Sequence, residues 1–243
     1  MRDIEKYGND YNSSNDFEAI QVNYRRKIIL NCLDNVPPPT ILEIGCGMEP
    51  LFLFFNQYKK YVLVEPCSDF FKNAENLKHE KELTNVICYN DFFENIENKL
   101  LEYKFDYIVC SSLLHEVEQP EELLKNIFNI CVDDRTIVHI NVPNVNSFHR
   151  LLAKESGLIK DEYDKSENNI HFQQHTNFDM NMLINMVESA GFKVINKGSY
   201  FIKPFTHAQM KQLMDIGILN KNLLDGLYNM VKYMPDMGVG NIY

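Results

Sequence analysis

The residue pattern predicts a doubly wound α/β fold on a mostly parallel sheet. Short, continuous apolar runs recur along the chain, as expected of strands covered on both faces. Helical stretches alternate with them. The first run ends in a glycine turn, "ILEIGCGMEP" at 41–50, at the strand end where such folds bind ligands.

The elements follow in order. Residues 16–34 read as an amphipathic helix with Phe17, Ile20, Tyr24, Ile28 and Leu33 along one side. Pro37-Pro38-Pro39 ends it and leads into the first strand. Strands are expected at 40–44, 61–65, 86–89, 105–110 and 136–141, and helices at 49–58, 68–80, 93–102 and 120–131. The last helix opens on Pro120, Glu121 and Glu122, which suits a first turn and the helix dipole. Residues 142–178 are polar, irregular and too long for an ordinary connection. Helical periodicity resumes at 179–190, and "GFKVIN" at 191–196 reads as a glycine-capped helix end followed by a sixth strand. Two amphipathic helices are expected within 206–233, packed on the core or at a dimer surface. The organisation is thus an N-terminal helical segment (1–39), a core domain (40–200) with 142–178 as a substrate-covering insertion, and a C-terminal helical extension (201–243).

Composition narrows the function. With 243 residues and 45% hydrophobic content the chain can bury a full core without staples. Its net charge of −10 disfavours general affinity for nucleic acid or anionic membranes. No apolar run reaches the roughly 18 residues of a membrane span, and the polar opening "MRDIEKYGND" lacks a secretory signal. Six cysteines, scattered singly, fit a reduced, cytoplasmic protein and no zinc site.

The glycine turn limits the ligand. Gly45 and Gly47 permit positive φ and a close backbone approach. A dinucleotide loop needs a further glycine or alanine, so that pyrophosphate can rest on helix amides. Here Pro50 has no N–H, and Glu49 adds negative charge that would repel pyrophosphate while suiting a neutral or cationic ligand. Glu65 ends the second strand about 20 residues on, where a carboxylate can accept from ribose hydroxyls; it reads equally as a helix-start acid. Asp91, after the third strand, reads either as a ligand contact or as a helix cap.

The motif of Glu43, Gly45, Cys46 and Gly47, with "VLVEP" at 62–66 and "FDYIVCSSLLHEVEQP" at 105–120, resembles the class I S-adenosylmethionine-dependent methyltransferases. Many members carry a glycine where Glu49 stands. The resemblance implies a Rossmann-like, seven-stranded sheet with helices on both faces. It also implies S-adenosyl-L-methionine as cofactor, with S-adenosyl-L-homocysteine (SAH) as product. It assigns Glu65 and Pro66 to the ribose, Asp91 and Phe92 to the adenine, Ser111 to the same site and Arg25 to the methionine carboxylate. Arg25 and its neighbour Arg26 read equally as a solvated helix face.

The segment after the fifth strand resembles a methyltransferase subset with a P-N…S-x-H-R turn, matched by Pro143, Asn144, Ser147, His149 and Arg150. Such enzymes commonly act on small metabolites and sugars, including polysaccharide precursors. A hydroxyl acceptor gains from a general base, and His149, His115 and His171 are the candidates, with His175 a further histidine nearby. Asn144, Arg150 and Tyr24 are candidate substrate contacts, and no metal is expected. The implied activity is O-methylation of a sugar, nucleotide-linked sugar or capsular precursor by a monomer or homodimer. A quinone-type or other small-metabolite acceptor, a tRNA or protein acceptor, and a non-catalytic cofactor-binding partner remain as alternatives.

Overall fold

Five apolar runs become parallel strands: β1 (Thr40–Ile44), β2 (Lys60–Val64), β3 (Val86–Tyr89), β4 (Tyr107–Ser111) and β5 (Ile137–Pro143). The computed structural model describes residues 3–13, 17–34 and 36–242. Among these, the strands pair in the order β3-β2-β1-β4-β5, all parallel. The order reverses between β1 and β4, the switch point at which open α/β sheets form a crevice. The glycine turn leaves β1 at that point. Two short strands, β6 (Gly198–Tyr200) and β7 (Gly240–Ile242), extend the sheet beyond β5 in the order β5-β7-β6. β7 is antiparallel to both neighbours.

The helices are α1 (Ile4–Ser13), α2 (Glu18–Leu33), α3 (Ser68–Glu80), α4 (Phe93–Leu100) and α5 (Pro120–Asn129). There follow α6 (Phe148–Glu155), α7 (Glu167–His171), α8 (Met180–Ser189), α9 (His207–Asp215) and α10 (Lys221–Asn229). Successive strand residues point to opposite faces, and here both faces are covered. Leu42, Ile44, Val62 and Val64 enter a core with α4, α5 and α8. Ile41, Tyr61 and Leu63 enter a second core with Ile29 and Leu33 of α2 and Ala74 of α3. A third cluster joins Phe17 and Tyr24 to Phe201, Met210, Leu219 and Leu224, so the C-terminal helices pack against α2.

Three expectations need correction. The helix expected at 49–58 is only a 3₁₀ turn, Leu51–Leu53. Leu51, Phe52, Phe55 and Tyr58 are all buried there, a spacing that one helix face would also give, so burial in the core imitates a helix that does not form. Residues 192–197 form no strand, and the ladder begins at Gly198, where β7 supplies a partner. Phe192 and Val194 pack on the first core while Ile195 is 70% exposed, so the alternation reflects packing without a ladder. The segment 142–178, expected to be irregular, contains α6 and α7. The first predicted helix is α2, and its proposed start at position 16 lies outside the described residues. No helix among the described residues is long and apolar enough to cross a membrane.

Candidate active site

The loop after β1 is held by carboxylates belonging to the protein itself. Gly45 and Gly47 take φ values of 74° and 57°, which turn the chain sharply at the strand end. The amides of Cys46 and Gly47 then point at Glu65 Oε2, 2.9 and 3.3 Å away, and the Cys67 amide donates to Oε1 at 2.9 Å. Burial pushes the Glu65 carboxyl upward, and these backbone donors pull against that shift. Glu43 accepts from the Leu51 amide at 3.2 Å and from the Tyr61 hydroxyl at 2.7 Å. Burial raises its pKa to about 7.

This bonding replaces one sequence argument with another. Glu49 lies 2.7 Å from Arg26, whose guanidinium also stacks on Phe54 at 3.6 Å, so its charge is offset. What closes the loop to pyrophosphate is the amides. Those of Cys46, Gly47 and Leu51 already serve internal carboxylates, and Pro50 has none.

A cavity of about 890 Å³ opens from this loop, within the range of pockets that hold a small ligand. Gly45, Cys46, Gly47, Glu65, Pro66, Phe92, Ser111 and Arg25 line it, together with His115, Asn144, His149 and Arg150. Glu43, Asp91, Tyr24 and His171 do not. Glu43 braces the loop from behind. Asp91 accepts from the Phe92 amide at 2.8 Å and from Asn95 at 2.7 Å, at the start of α4. Tyr24 donates to Asp225 at 2.9 Å and stacks on Tyr228. His171 is exposed, its ring against Phe172.

Several lining residues also have structural partners. Ser111 accepts from Asn141 at 2.9 Å. Asn144 is buried and donates to the carbonyls of Asp236 and Gly238 just before β7. Arg150 donates to the Glu162 carbonyl through Nε at 2.9 Å and through Nη2 at 2.6 Å. Arg25 lies 3.3 Å from Glu18. His115 is buried, with Nε2 3.7 Å from Glu116, and its carbonyl accepts from the His175 and Thr176 amides.

The Nδ1 of His149 is buried without a hydrogen-bond partner. Burial and then the neighbouring Lys203, His207 and Arg150 push its pKa well below the usual histidine range, so it is neutral near pH 7.

The sequence reading did not place Ser112, Lys203, His207, Glu116 or Tyr7 in the site, yet all five line the cavity. Ser112 takes φ of 57°, a conformation uncommon for serine, directly after β4. Lys203 stands beside Pro204, just after β6. Tyr7 arrives on α1, which apolar patterning does not disclose. Its hydroxyl donates to Glu116 at 3.4 Å, and the Asp3 amide donates to Gln173 at 2.9 Å. These contacts lay α1 against the 172–174 segment, and both elements cover the cavity. Among the described residues no group of three His, Cys, Asp or Glu is placed to hold a metal ion.

The fold and loop agree with comparisons to known proteins. A family model described as a methyltransferase domain matches residues 17–197, more than half the chain. No curated protein matches. Solved structures similar to the chain include the plantazolicin methyltransferase BamL, in complex with a triazolic desmethylPZN analog and SAH. It is 18% identical and covers 93% of this chain and 85% of its own, with a TM-score of 0.58. The [4+2]-cyclase SpnF is 14% identical, covering 89% and 77%, at 0.55. Magnesium protoporphyrin IX methyltransferase from Synechocystis PCC 6803, with bound SAH, is 12% identical, covering 78% and 82%, also at 0.55. At these identities the structures attest the fold alone, and SpnF is a reminder that fold does not fix chemistry. The family match and a glycine loop closed to phosphate together identify the chain: it belongs to the methyltransferase-domain family, as a class I enzyme dependent on S-adenosylmethionine.

Proposed function

We propose that the protein transfers the methyl group of S-adenosylmethionine to a hydroxyl of a small polar acceptor, in the cytoplasm. The acceptor is a sugar, a nucleotide-linked sugar or a capsular polysaccharide precursor. The observation that carries this reading is that the glycine loop and His149 line one cavity. The cofactor's adenosine would lie against Gly45, Gly47, Glu65 and Phe92, and Arg25 would meet its methionine carboxylate. Methyl transfer is an in-line displacement, to which an enzyme contributes chiefly positioning and exclusion of water. The carboxylates around the loop suit a sulfonium, and α1 and residues 172–174 add to the cavity wall. The neutral imidazole of His149, with a buried ring nitrogen not engaged elsewhere, is suited to take the hydroxyl proton.

The test has two parts. Isothermal titration should show SAH binding to the purified protein, and a chain that binds neither SAH nor S-adenosylmethionine would sink the proposal. Radiolabelled methyl transfer to a panel of sugars and nucleotide-linked sugars should then find the acceptor. With it, His149→Ala should lower turnover about 100-fold or more with SAH affinity nearly intact. Unchanged turnover would remove His149 from the mechanism.

A further inference from the structure

Among the described residues, Glu82, Ser112, Gln173 and Phe201 take positive φ without being glycine. Of these only Ser112 lines the cavity. Such a backbone is unfavourable for any residue with a Cβ, whereas glycine takes it freely. The chain uses glycine for it at positions 45 and 47 of the same cavity, yet keeps serine at 112. The conformation is held from both sides. The Ser112 amide donates to the Asn141 carbonyl of β5 at 2.9 Å. The next side chain, Leu113, packs over Gly45, 3.6 Å from where a Cβ would stand there. Ser112 therefore sits at the switch point, between the loop after β1 and the end of β5 that leads to Asn144 and His149. The two serines at the end of β4 divide their tasks. Ser111 Oγ is taken by Asn141 at 2.9 Å. Ser112 is half-buried, and among the described residues its hydroxyl has no hydrogen-bond partner, so it is open to the cavity. Strain held at a cavity wall, where glycine would relieve it, points to a use for the side chain.

We propose that Ser112 holds the reacting oxygen of the acceptor by donating a hydrogen bond to it. This rests on the methyltransferase reading above and deepens it. A hydroxyl oxygen carries one proton and two lone pairs. With the proton directed at His149 and one lone pair accepting from Ser112, the other is left for the methyl carbon. The C–O bond then forms as the S–CH3 bond breaks. The sulfur keeps the bonding pair and leaves as neutral SAH, and His149 takes the proton. As that proton departs the oxygen gains negative character, and a fixed donor supports it most at that stage. The contact also discriminates between acceptor atoms. A neutral amine has a single lone pair, which the attack itself requires, so it cannot accept from Ser112 at the same time. Ser112 thus favours oxygen over nitrogen acceptors.

The experiment compares Ser112→Ala and Ser112→Gly with the parent. Both variants lack the hydroxyl, and only glycine relieves the backbone. Ser112→Gly should therefore melt about 2–4 °C above Ser112→Ala. SAH affinity by calorimetry should be nearly unchanged in both. With the acceptor found on the panel of sugars and nucleotide-linked sugars, kcat should fall about tenfold or more in both variants alike. A purely structural role would make turnover follow stability, whereas here the more stable variant is equally impaired. The analogue carrying an amine in place of the methylated hydroxyl should be slow in the parent and no slower in either variant. Parent-like turnover in Ser112→Ala overturns the proposal. So does a loss of SAH affinity of about tenfold or more, an amine analogue slowed as much as the alcohol, or a Ser112→Gly that melts no higher than Ser112→Ala. SAH binding with no panel member methylated overturns the acceptor reading, and this contact with it. Failure of SAH to bind at all overturns the methyltransferase reading instead.

Discussion

Glu65 shows how one side chain can serve two purposes. Its carboxylate gathers the amides of Cys46, Gly47 and Cys67, which fixes the glycine turn, and it still faces the cavity. Three hydrogen bonds leave a carboxylate with about one further acceptor site, open to a ribose hydroxyl. Glu65→Ala would remove both functions. Bonds to a charged group contribute about 1.5–3 kcal/mol each, so SAH affinity should fall about 10- to 100-fold, as read by calorimetry. Glu65→Gln keeps the acceptor oxygen for the loop amides and should lose less. Equal loss in the two variants would mean that contact of the carboxylate with the cofactor, rather than the loop geometry, governs affinity.

Among the elements, α6 and its surroundings shape the acceptor end. Ser147 precedes the helix, His149 and Arg150 lie in its first turn, and Arg150 reaches across to the carbonyls of Glu162 and Asp164. The ion pair of Lys154 with Glu162 adds a second tie. Arg150 is thus a clamp on residues 160–165 at the cavity wall. Arg150→Met should speed amide hydrogen exchange across that stretch by about tenfold or more, equivalent to at least ~1.4 kcal/mol of lost protection, with little change at β1–β5. Unchanged exchange at 160–165 would show that the clamp is idle. Elements such as this mark the limit of what sequence reading reached. β1, β3 and α3 match their expected bounds because uninterrupted apolar runs and clear helical periods leave little ambiguity. The stretch "LFLFFNQY" at 51–58 misled for the opposite reason. Its apolar positions imitate one helix face, and Glu43 fixes the Leu51 amide in a way no local pattern discloses. The candidate site divides similarly. Glycines and acids at strand ends are local signals, whereas Lys203, Tyr7 and His207 reach the cavity through tertiary packing. Asp91 and Tyr24 carry the right residue types and spend them on α4 and α10.

Two of the molecule's buried groups pull its acid stability in opposite directions. Glu43 has its pKa raised by burial to about 7, so between its ordinary value near 4.5 and pH 7 the folded chain holds a proton that the unfolded chain has released. Stability therefore falls as pH rises through that window. His139, on β5, is pushed down to about 4 by burial, with the Tyr107 hydroxyl 3.5 Å from Nδ1. There the unfolded chain takes up the proton first, so stability falls as pH drops from about 6.5 to 4. Each effect is on the order of 3 kcal/mol, and over most of the range they cancel. Relative to the parent, Glu43→Gln should make the melting temperature drop more steeply on acidification, and His139→Phe should make it drop less steeply. Parallel melting curves for the two variants between pH 4.5 and 6.5 would refute this balance.

The order in which the sheet is assembled has a consequence for synthesis. Among the described residues β6 finds its partner only in β7, and β7 is also what covers the free edge of β5. Thirty-nine residues separate the end of β6 at Tyr200 from the start of β7 at Gly240. At a ribosome's pace of about 5–20 residues per second, the open edge of β5 stays uncovered for roughly 2–8 s after β6 has been made. The cofactor half can form during that interval, while the acceptor half waits for the strand that closes it. A nascent chain of this protein is therefore exposed to edge-to-edge pairing at one identifiable place, and for one identifiable time.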